Sequence, residues 1–342
     1  MSVSQSSSAP LVSIMIPTYN QERFLADAVQ SALAQDYPNI EVVVADDCST
    51  DNTPTLAKHW QGDPRFKYVR NAANLGRVGN YRNTLYRLIR GRWALNLDGD
   101  DYLCDPSFIS RAVAALRSRE DVVLAFAATY DLIDGVRVAG LVQHHPPLLD
   151  GSDVVRDYAA IYRERRPVVF IPHQSAVYEV AAARAMDFYR YDILSADLES
   201  LLRLIVGRKI AFVEGTVACW RHHGANATAR PDAATLLCNF GVVDGVYAHL
   251  ERHHVWTARV RKNWRTDMAR AKFINDAQQL IASGQAASLP GFYRRTCQRY
   301  PAVATCACSP AIVRALAAAA AKRALRRWRV KPAPTAPAGE HR

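Results

Sequence analysis

Apolar positions follow two different periods along the first 130 residues of the chain. Short apolar runs predict buried strands, and they alternate with segments whose apolar residues recur every three or four positions, as in amphipathic helices. The predicted strands are 12–16, 40–45, 66–69, 93–97 and 122–127, and the predicted helices are 22–34, one from the 48–51 loop to about residue 60, 78–89 and 106–117. This alternation predicts an α/β fold with a mostly parallel, doubly wound sheet.

After residue 130 the pattern becomes less regular, and towards the C terminus it becomes helical. Strands are predicted at 210–213 and 217–220, joined by a turn at 214–215. Residues 233–282 and 311–330 show helical spacing, and residues 290–310 are predicted to be a broken connection. No run of about 18 apolar residues occurs, so the sequence predicts no membrane-spanning segment.

These patterns divide the chain into four predicted parts, and charge divides it as well. The parts are a disordered leader at 1–10, an α/β domain at 11–228, a helical region at 229–330 and a disordered tail at 331–342. The net charge is +11, and residues 225–342 contain 19 Lys and Arg against 6 Asp and Glu. Residues 1–224 contain 24 against 26. An anionic surface is therefore the expected partner of the C-terminal part.

The predicted helix at 311–330 is basic and amphipathic, with six Lys and Arg and no acidic residue. Such a helix indicates attachment to an anionic membrane surface. The alternatives are a helix packed on the domain with a solvated basic face, and nucleic-acid binding, which we do not expect.

Seven cysteines without a C-x-x-C pair suit reduced thiols. The predicted location is the cytoplasm, either free or peripheral on the inner face of the cell membrane.

The segment after the predicted strand at 93–97 is the strongest candidate site. Three carboxylates, Asp98, Asp100 and Asp101, follow this strand with only Gly99 between them. Carboxylates this close repel each other, and a hard cation such as Mg²⁺ or Mn²⁺ relieves the repulsion while sharing ligands with substrate phosphates. A solvated Asp/Gly turn is the alternative. The carboxyl end of a buried strand favours a site, because open α/β sheets bind ligands there.

The loops after the first two predicted strands contain the other parts that a nucleotide needs. Tyr19 offers an aromatic face for a base, and Asp46 and Asp47 offer acceptors for base and ribose. Residues 17–23 contain no glycine, so the dinucleotide fingerprint G-x-G-x-x-G is missing from the first turn. The same turn lacks the Gly-rich, basic loop expected of a sugar-nucleotide nucleotidyltransferase.

Four motifs together resemble family 2 glycosyltransferases of the GT-A fold, in order and in spacing. They are Pro17-Thr18-Tyr19-Asn20, Asp46-Asp47-Cys48-Ser49-Thr50-Asp51, Asn74-Leu75-Gly76 and Asp98-Gly99-Asp100-Asp101. The resemblance covers residues 11–228, with a donor half at 11–130 and an acceptor half at 131–228. It implies inverting transfer of a sugar from a nucleoside-diphosphate donor, a UDP-sugar first, to a hydroxyl of a glycan or lipid-linked acceptor in cell-surface polysaccharide synthesis.

The resemblance also implies roles for individual residues. The implied donor-binding residues are Pro17, Thr18, Tyr19, Asn20, Asp46, Asp47, Asn74, Arg77, Asp98 and Gly99. Asp100 would ligate a divalent metal, Mg²⁺ or Mn²⁺, and His223 of the Arg-His-His-Gly stretch would contact the metal or the diphosphate. Asp101, His173 and Arg221 are additional candidates. The alternative for Arg77 is a solvated cation at a helix start, and the alternative for His173 is a structural residue.

The candidate general base is Asp197, which precedes an apolar helix face within an Ala-Asp pair that resembles the family motif. An inverting transfer needs a base to take the proton of the attacking hydroxyl. The alternative is an anion that stabilises the helix dipole. Glu199 is the weaker candidate, because two residues further along a helix it points elsewhere. Two other functions stay open, a sugar-nucleotide nucleotidyltransferase and a non-catalytic module that binds nucleotide sugars.

Overall fold

The structure of the protein is a computed structural model, and it describes residues 9–138, 144–158, 169–224, 226 and 229–329, with residues 322–329 as backbone alone. The predicted leader and tail lie outside this range, except for residues 9 and 10. Asn39 and Tyr37 donate hydrogen bonds to the backbone oxygens of Ala9 and Pro10, at 2.6 and 2.8 Å. These bonds fix the entry of the chain into the first strand.

A ten-stranded mixed sheet forms the centre of the described structure. Its strands are β1 (Val12–Thr18), β2 (Ile40–Asp46), β3 (Phe66–Arg70), β4 (Trp93–Asn96), β5 (Tyr102–Leu103), β6 (Val122–Ile133), β7 (Val136–Val138), β8 (Leu148–Asp150), β9 (Ala176–Glu179) and β10 (Lys209–His222). Their order is β3-β2-β1-β4-β9-β6-β10-β5, with β7 paired to β6 and β8 to β10. β1, β2, β3, β4, β6 and β10 run in one direction, and β9 runs against both neighbours.

Helices cover both faces of this sheet. They are α1 (Leu25–Leu33), α2 (Thr53–Leu56), α3 (Arg77–Asn83), α4 (Phe108–Arg117), α5 (Gly151–Asp157), α6 (Val180–Ala185), α7 (Ala196–Ile205), α8 (Ala233–Cys238), α9 (Gly241–Arg252), α10 (Ala258–Ala282), α11 (Leu289–Arg299) and α12 (Pro310–Arg329). Short 3₁₀ helices lie at Ala57–Trp60, His173–Ser175, Ala286–Ser288 and Pro301–Cys306, and a π-helical turn at Thr84–Leu88 extends α3. These extensions explain why the sequence predicts single helices to about residue 60 and over 78–89.

Two apolar clusters form the core, one on each face of the sheet. Along β1, Ile14 and Ile16 join one cluster and Met15 joins the other, as the two-residue period of a strand requires. Helices α1 and α4 complete the first cluster. Helices α3 and α7 complete the second, together with α9, α10, α11 and α12. The C-terminal helices therefore share a core with the sheet.

Two predicted features of the later chain are wrong. Residues 209–222 form the single strand β10, whose pairing with β6 shifts between Phe212 and Thr216. This irregularity includes Gly215 at a φ of 99°, and a bulge uses the same residue types as a turn. The stretch predicted as a broken connection contains α11, because Pro290 lies in the first helical turn, where its missing N–H is no loss.

Residues 233–252 meet the length and composition criteria for a membrane-spanning helix, although the sequence predicts none. The segment contains α8 and α9, which are separated by Asn239 and Phe240. In α9, Val243 and Val246 are completely buried in the core. A core helix of a folded domain passes the same criteria, and its packing accounts for the match.

Candidate active site

The carboxyl ends of three neighbouring strands meet at one edge of the sheet. Thr18 at the end of β1 pairs with Asp46 at the end of β2, and Met15 pairs with Asn96 at the end of β4. The loops after these strands line one side of a cavity of about 620 Å³. The 3₁₀ turn before β9 and the start of α7 also line it. A cleft at this edge is where open α/β sheets bind ligands.

Most of the residues predicted to bind a donor line this cavity. They are Pro17, Thr18, Tyr19, Asp47, Asn74, Arg77 and Asp98. Tyr19 is 48% exposed, so its ring is accessible to a planar base. Three residues predicted for the same role, Asn20, Asp46 and Gly99, lie outside the lining.

Asp46 and Asn20 hold the loop that follows β2. One carboxylate oxygen of Asp46 accepts a hydrogen bond from Ser49 N at 2.9 Å, and the other accepts from the Tyr68 hydroxyl at 2.6 Å. The side-chain oxygen of Asn20, a residue with a φ of 54°, accepts from Thr50 N at 2.8 Å. Both residues shape the cavity through the loop that follows β2, and direct contact with a donor stays a prediction.

Gly99 allows the loop after β4 to lie against the loop after β1. A Cβ atom at this position would lie 2.4 Å from Oε1 of Gln21 and 2.9 Å from Oγ1 of Thr18. The amide of Gly99 donates to Pro17 O at 3.2 Å. A side chain here would push the two loops apart, so the glycine is needed for the close approach that places Asp98 and Asp100 beside the β1 loop.

Three carboxyl groups lie together after β4, and their environments differ. Burial and the Asp98 charge raise the pKa of Asp100, and burial with both neighbouring carboxylates raises the pKa of Asp101 well above its usual range. Burial also disfavours the charged form of Asp98, but His173, Tyr81 and Arg77 outweigh it and lower its pKa. The Tyr81 hydroxyl donates to Asp98 Oδ1 at 2.6 Å. Asp100 and Asp101 therefore favour a bound proton or cation, whereas Asp98 stays ionised.

His173 links the carboxylate cluster to the candidate base. Its Nδ1 lies 2.9 Å from Asp197 Oδ2, and its Nε2 lies 3.3 Å from Asp98 Oδ2. Burial alone would lower the pKa of His173, but the two carboxylates hold it well above its usual range. The geometry therefore favours an imidazolium that donates towards Asp197 and pairs with Asp98. A histidine in this bridge orients both carboxylates around one cavity.

Asp197 lies in the first turn of α7 and lines the cavity. Burial would raise its pKa, but His173 and the Arg77 charge outweigh burial and lower it. The carboxylate is therefore ionised at neutral pH, which is the form that a base needs. The Arg77 guanidinium donates to the backbone oxygens of Ile193 and Leu194 at 3.1 and 2.6 Å. Arg77 thus holds the loop before α7 and is not a solvated cation.

Asp100 and His223 are in direct contact, with Asp100 Oδ2 2.9 Å from Nε2 of the imidazole. The side-chain amide of Asn226 donates to the same oxygen at 3.3 Å. The His223 ring stacks on Phe24, with centroids 4.8 Å apart. The sequence predicts that Asp100 and His223 act together at a metal. The structure places the two side chains in contact, and the metal role stays a prediction.

Arg221 holds the loop after β4 through hydrogen bonds to Asp100 and Asp101. Its backbone N donates to Asp101 Oδ1 at 2.8 Å, and its Nε donates to Asp100 O at 2.9 Å. Its guanidinium also pairs with Asp27 at 2.6 Å and lies over the Phe24 ring. Arg221 lines a separate shallow hollow on the outside of the site, so the structure favours a role in holding the carboxylate loop.

The carboxylate cluster fits a hard divalent cation. Oxygens of Asp98 and Asp101 and a ring nitrogen of His173 all lie within 4.8 Å of one another. The Nε2 of His173 faces Asp98 at 3.3 Å, and it can ligate a cation only in the neutral form of the ring, which a bound cation favours over the imidazolium. Carboxylate and imidazole ligands suit Mg²⁺ or Mn²⁺. The pair of Asp100 and His223 is a second, neighbouring candidate group, of which Asp100 lines the cavity and His223 lies outside the lining.

Further residues that the sequence pattern does not single out complete the cavity. They are Gln21, Asn80, Tyr81, Tyr158, Phe170, Leu194, Ser195, Trp220 and Asn226. Tyr81 is the most informative of them, because its hydroxyl bonds Asp98 and its ring packs at 5.3 Å from Tyr189. In the sequence Tyr81 is one apolar position of a helix, and its role appears only once α3 is packed against β4.

The profile of "Glycosyl transferase family 2" matches residues 13–172 of the chain. This match includes β1, β2 and β4 with the carboxylate cluster, and it ends at the residue before His173. Residues 13–172 belong to glycosyl transferase family 2. The predicted family and the predicted enzyme class, a glycosyltransferase, are confirmed.

Several proteins are similar to parts of this chain. A chondroitin synthase of Escherichia coli is 38% identical over 121 residues, which are 35% of this chain and 17% of that protein. The poly(ribitol-phosphate) beta-N-acetylglucosaminyltransferase TarS of Staphylococcus aureus is 32% identical over 114 residues, 33% of this chain and 20% of that protein. An uncharacterised protein of Mycobacterium bovis is 29% identical over 217 residues, 62% of this chain and 59% of that protein. The chain thus spans about a fifth of the first two relatives.

The fold of this chain is similar to that of TarS over most of its length. A crystal structure of S. aureus TarS 1–349 superposes with a TM-score of 0.58 at 16% identity, covering 93% of this chain and 91% of that one. The match includes a mixed sheet with surrounding helices and a helical C-terminal region. The predicted GT-A fold is thereby confirmed.

Proposed function

We propose that the chain transfers a sugar from a nucleoside-diphosphate donor to a hydroxyl acceptor, with inversion at the anomeric carbon. One observation supports this most strongly. Asp98 on the donor side and Asp197 on the opposite wall face the same cavity and are joined by His173. A group that binds the donor and a base that activates the acceptor are therefore held at a fixed separation, as an in-line displacement requires.

We propose a UDP-sugar as the donor, with UDP-GlcNAc as the first to test. A crystal structure of S. aureus TarS in complex with UDP-GlcNAc superposes on this chain with a TM-score of 0.52 at 16% identity. In this chain the exposed Tyr19 ring beside the cavity is available to the base, and Asp47 and Asn74 line the cavity beside it. The acceptor side contains apolar and aromatic side chains, among them Phe170 and Trp220, which suit a sugar ring.

In the proposed mechanism the chain holds a divalent metal, Mg²⁺ or Mn²⁺, through Asp100 and His223, with Asp98, Asp101 and His173 as the alternative ligand group. A bound cation supplies stabilisation of the negative charge that develops on the departing diphosphate. Asp197 accepts the proton of the attacking hydroxyl. His173 donates to Asp197 and so keeps its carboxylate turned into the cavity.

We also propose that separate parts of the chain bind the donor and the acceptor. Residues 11–130 form the donor half, because β1, β2 and β4 end at the nucleotide side of the cavity. Residues 131–228 form the acceptor half, because they supply His173 and Asp197. Residues 229–330 form a helical region that completes the core beneath the acceptor half.

The proposed activity is tested by incubating the purified chain with Mn²⁺ and a panel of UDP-, GDP- and dTDP-sugars, and by measuring the nucleoside diphosphate released. We expect release of UDP from at least one UDP-sugar. Donor binding without release would instead indicate a non-catalytic module. Formation of a sugar nucleotide from a sugar 1-phosphate and a nucleoside triphosphate would indicate a nucleotidyltransferase.

We propose that the acceptor is a glycan or a lipid-linked glycan of a cell-surface polysaccharide, and that the protein acts in the cytoplasm at the inner face of the membrane. The support is the basic sequence of α12, which is helical over Pro310–Arg329. This helix packs Ile312 into the core and leaves Val313 and Leu316 exposed. We expect the protein to float with liposomes that contain about a third anionic lipid, and to lose this binding as salt is raised. Equal flotation with neutral liposomes would contradict the electrostatic part of the proposal.

A further inference from the structure

We propose that the helical region supports catalysis indirectly, because Asn239 positions the Asp197 carboxylate through Ser195. This inference rests on the proposed role of Asp197 as the base. It assigns to Asn239 a positioning role, since the residue lies outside the lining of the cavity. The sequence places it 42 residues beyond Asp197, in a region predicted as a separate extension.

Asn239 makes two hydrogen bonds to Ser195. Its Oδ1 accepts from Ser195 N at 2.8 Å, and its Nδ2 donates to Ser195 Oγ at 3.1 Å. Asn239 lies in the turn between α8 and α9 and is 4% exposed. A buried amide with both ends engaged has one allowed orientation, so the pair fixes the backbone of Ser195 relative to the helical region.

Ser195 is the N-cap residue of α7 and lies two positions before Asp197. A serine at this position usually caps its own helix, but the Ser195 side chain makes no such bond and accepts from Asn239 instead. The backbone oxygen of Ser195 accepts the first helical hydrogen bond, from Glu199 N at 3.0 Å. The start of α7, and with it the direction of the Asp197 side chain, therefore depends on a residue of the helical region.

The loop before α7 is held from two sides. Arg77, from the donor half, donates to the backbone oxygens of Ile193 and Leu194. Asn239, from the helical region, holds the next residue, Ser195. The first turn of α7 thus lies between two anchors, and removal of either leaves it attached on one side only.

Two glycines bring α9 close enough for this contact. A Cβ atom at Gly241 would lie 3.2 Å from Ile193 Cγ2, and one at Gly245 would lie 2.4 Å from Oε1 of Glu199. Glu199 is fully paired in this position, since it accepts from Arg190 at 3.0 Å and from Arg203 at 2.7 Å. Glycines one helical turn apart therefore let α9 pack directly on the segment that presents the base.

The test compares Asn239→Ala with two further variants. Ser195→Ala removes the bond to Oγ and keeps the bond from Ser195 N. Tyr300→Phe is the matched control, because its hydroxyl bonds Phe240 O at 3.5 Å, next to Asn239, without touching Ser195. The measurements are kcat, donor KM and amide hydrogen exchange over residues 195–199.

We expect Asn239→Ala to lower kcat about 10- to 100-fold with an unchanged donor KM, since small misplacements of a reacting group have effects of this size. Exchange over 195–199 should accelerate, Ser195→Ala should show a smaller effect of the same kind, and Tyr300→Phe should show neither. Unchanged kcat in Asn239→Ala, or an equal loss in Tyr300→Phe, would overturn the inference. If Asn239→Ala does not fold, Ser195→Ala decides by the same criteria. If the wild type releases no nucleotide, the proposed function fails, and the exchange data alone decide whether Asn239 positions this turn.

Discussion

Replacing Asp197 by Asn is expected to lower kcat about 10²- to 10⁴-fold, the usual contribution of a general base, while the donor affinity changes little. The amide keeps the size of the side chain and can still contact His173 Nδ1, which lies 2.9 Å from the carboxylate. It cannot accept the proton of an attacking hydroxyl. The affinity for UDP-GlcNAc is measured by calorimetry, and kcat by release of UDP.

Asp192→Asn is the control for this result, because Asp192 is an exposed carboxylate in the loop before α7. It removes the same charge five residues away and should retain nearly full activity. A loss of donor affinity in Asp197→Asn, in parallel with the loss of kcat, would show that Asp197 holds the shape of the site. The base would then have to be sought among other residues of the cavity.

Excess EDTA is expected to abolish sugar transfer, and added Mn²⁺ is expected to restore it. The Asp100 and Asp101 carboxyl groups have raised pKa values because they are buried beside like charges, and a bound cation removes this penalty. Asp100→Asn should raise the Mn²⁺ concentration needed for half of the full rate by at least about 10-fold. The rate is measured as a function of Mn²⁺ at saturating donor.

Two further variants distinguish the two ligand groups. If the metal lies between Asp100 and His223, His223→Gln raises the Mn²⁺ requirement and Asp101→Asn has little effect. If it lies among Asp98, Asp101 and His173, the two outcomes are exchanged. Full transfer in excess EDTA, with no metal recovered from the protein, would exclude a metal role for either group.

The side of the cavity that the loops after β1, β2 and β4 form, the proposed donor side, was largely predictable from the sequence for a physical reason. The carboxyl ends of parallel strands meet at one edge of a sheet, so the polar loops after β1, β2 and β4 must converge once these strands are recognised. Within those loops the sequence could not say which side chain faces the cavity. Asp46 and Asp47 are adjacent and chemically identical, but Asp46 turns into the loop and Asp47 lines the cavity.

The acceptor side was less predictable, because its contacts join distant parts of the chain. His173 and Asp197 are 24 residues apart, and Ser195 and Asn239 are 44 apart. No local period marks such pairs, and they form only when the 3₁₀ turn, α7 and the helical region pack together. The bulge in β10 was missed because Gly215 suits a turn and a bulge equally well.

The reversed direction of β9 has a consequence for how this site is assembled. A strand parallel to β4 would begin at the opposite edge of the sheet. The residues before it would then lie a full strand length from the carboxylate cluster after β4. Since β9 runs the other way, Val177 is the partner of Leu95, and the chain enters the sheet beside the end of β4. His173 therefore lies just before the first residue of β9, whereas Asp98 lies just after the last residue of β4. Because this one strand in the middle of the sheet is antiparallel, the His173 imidazole can contact both Asp98 and Asp197.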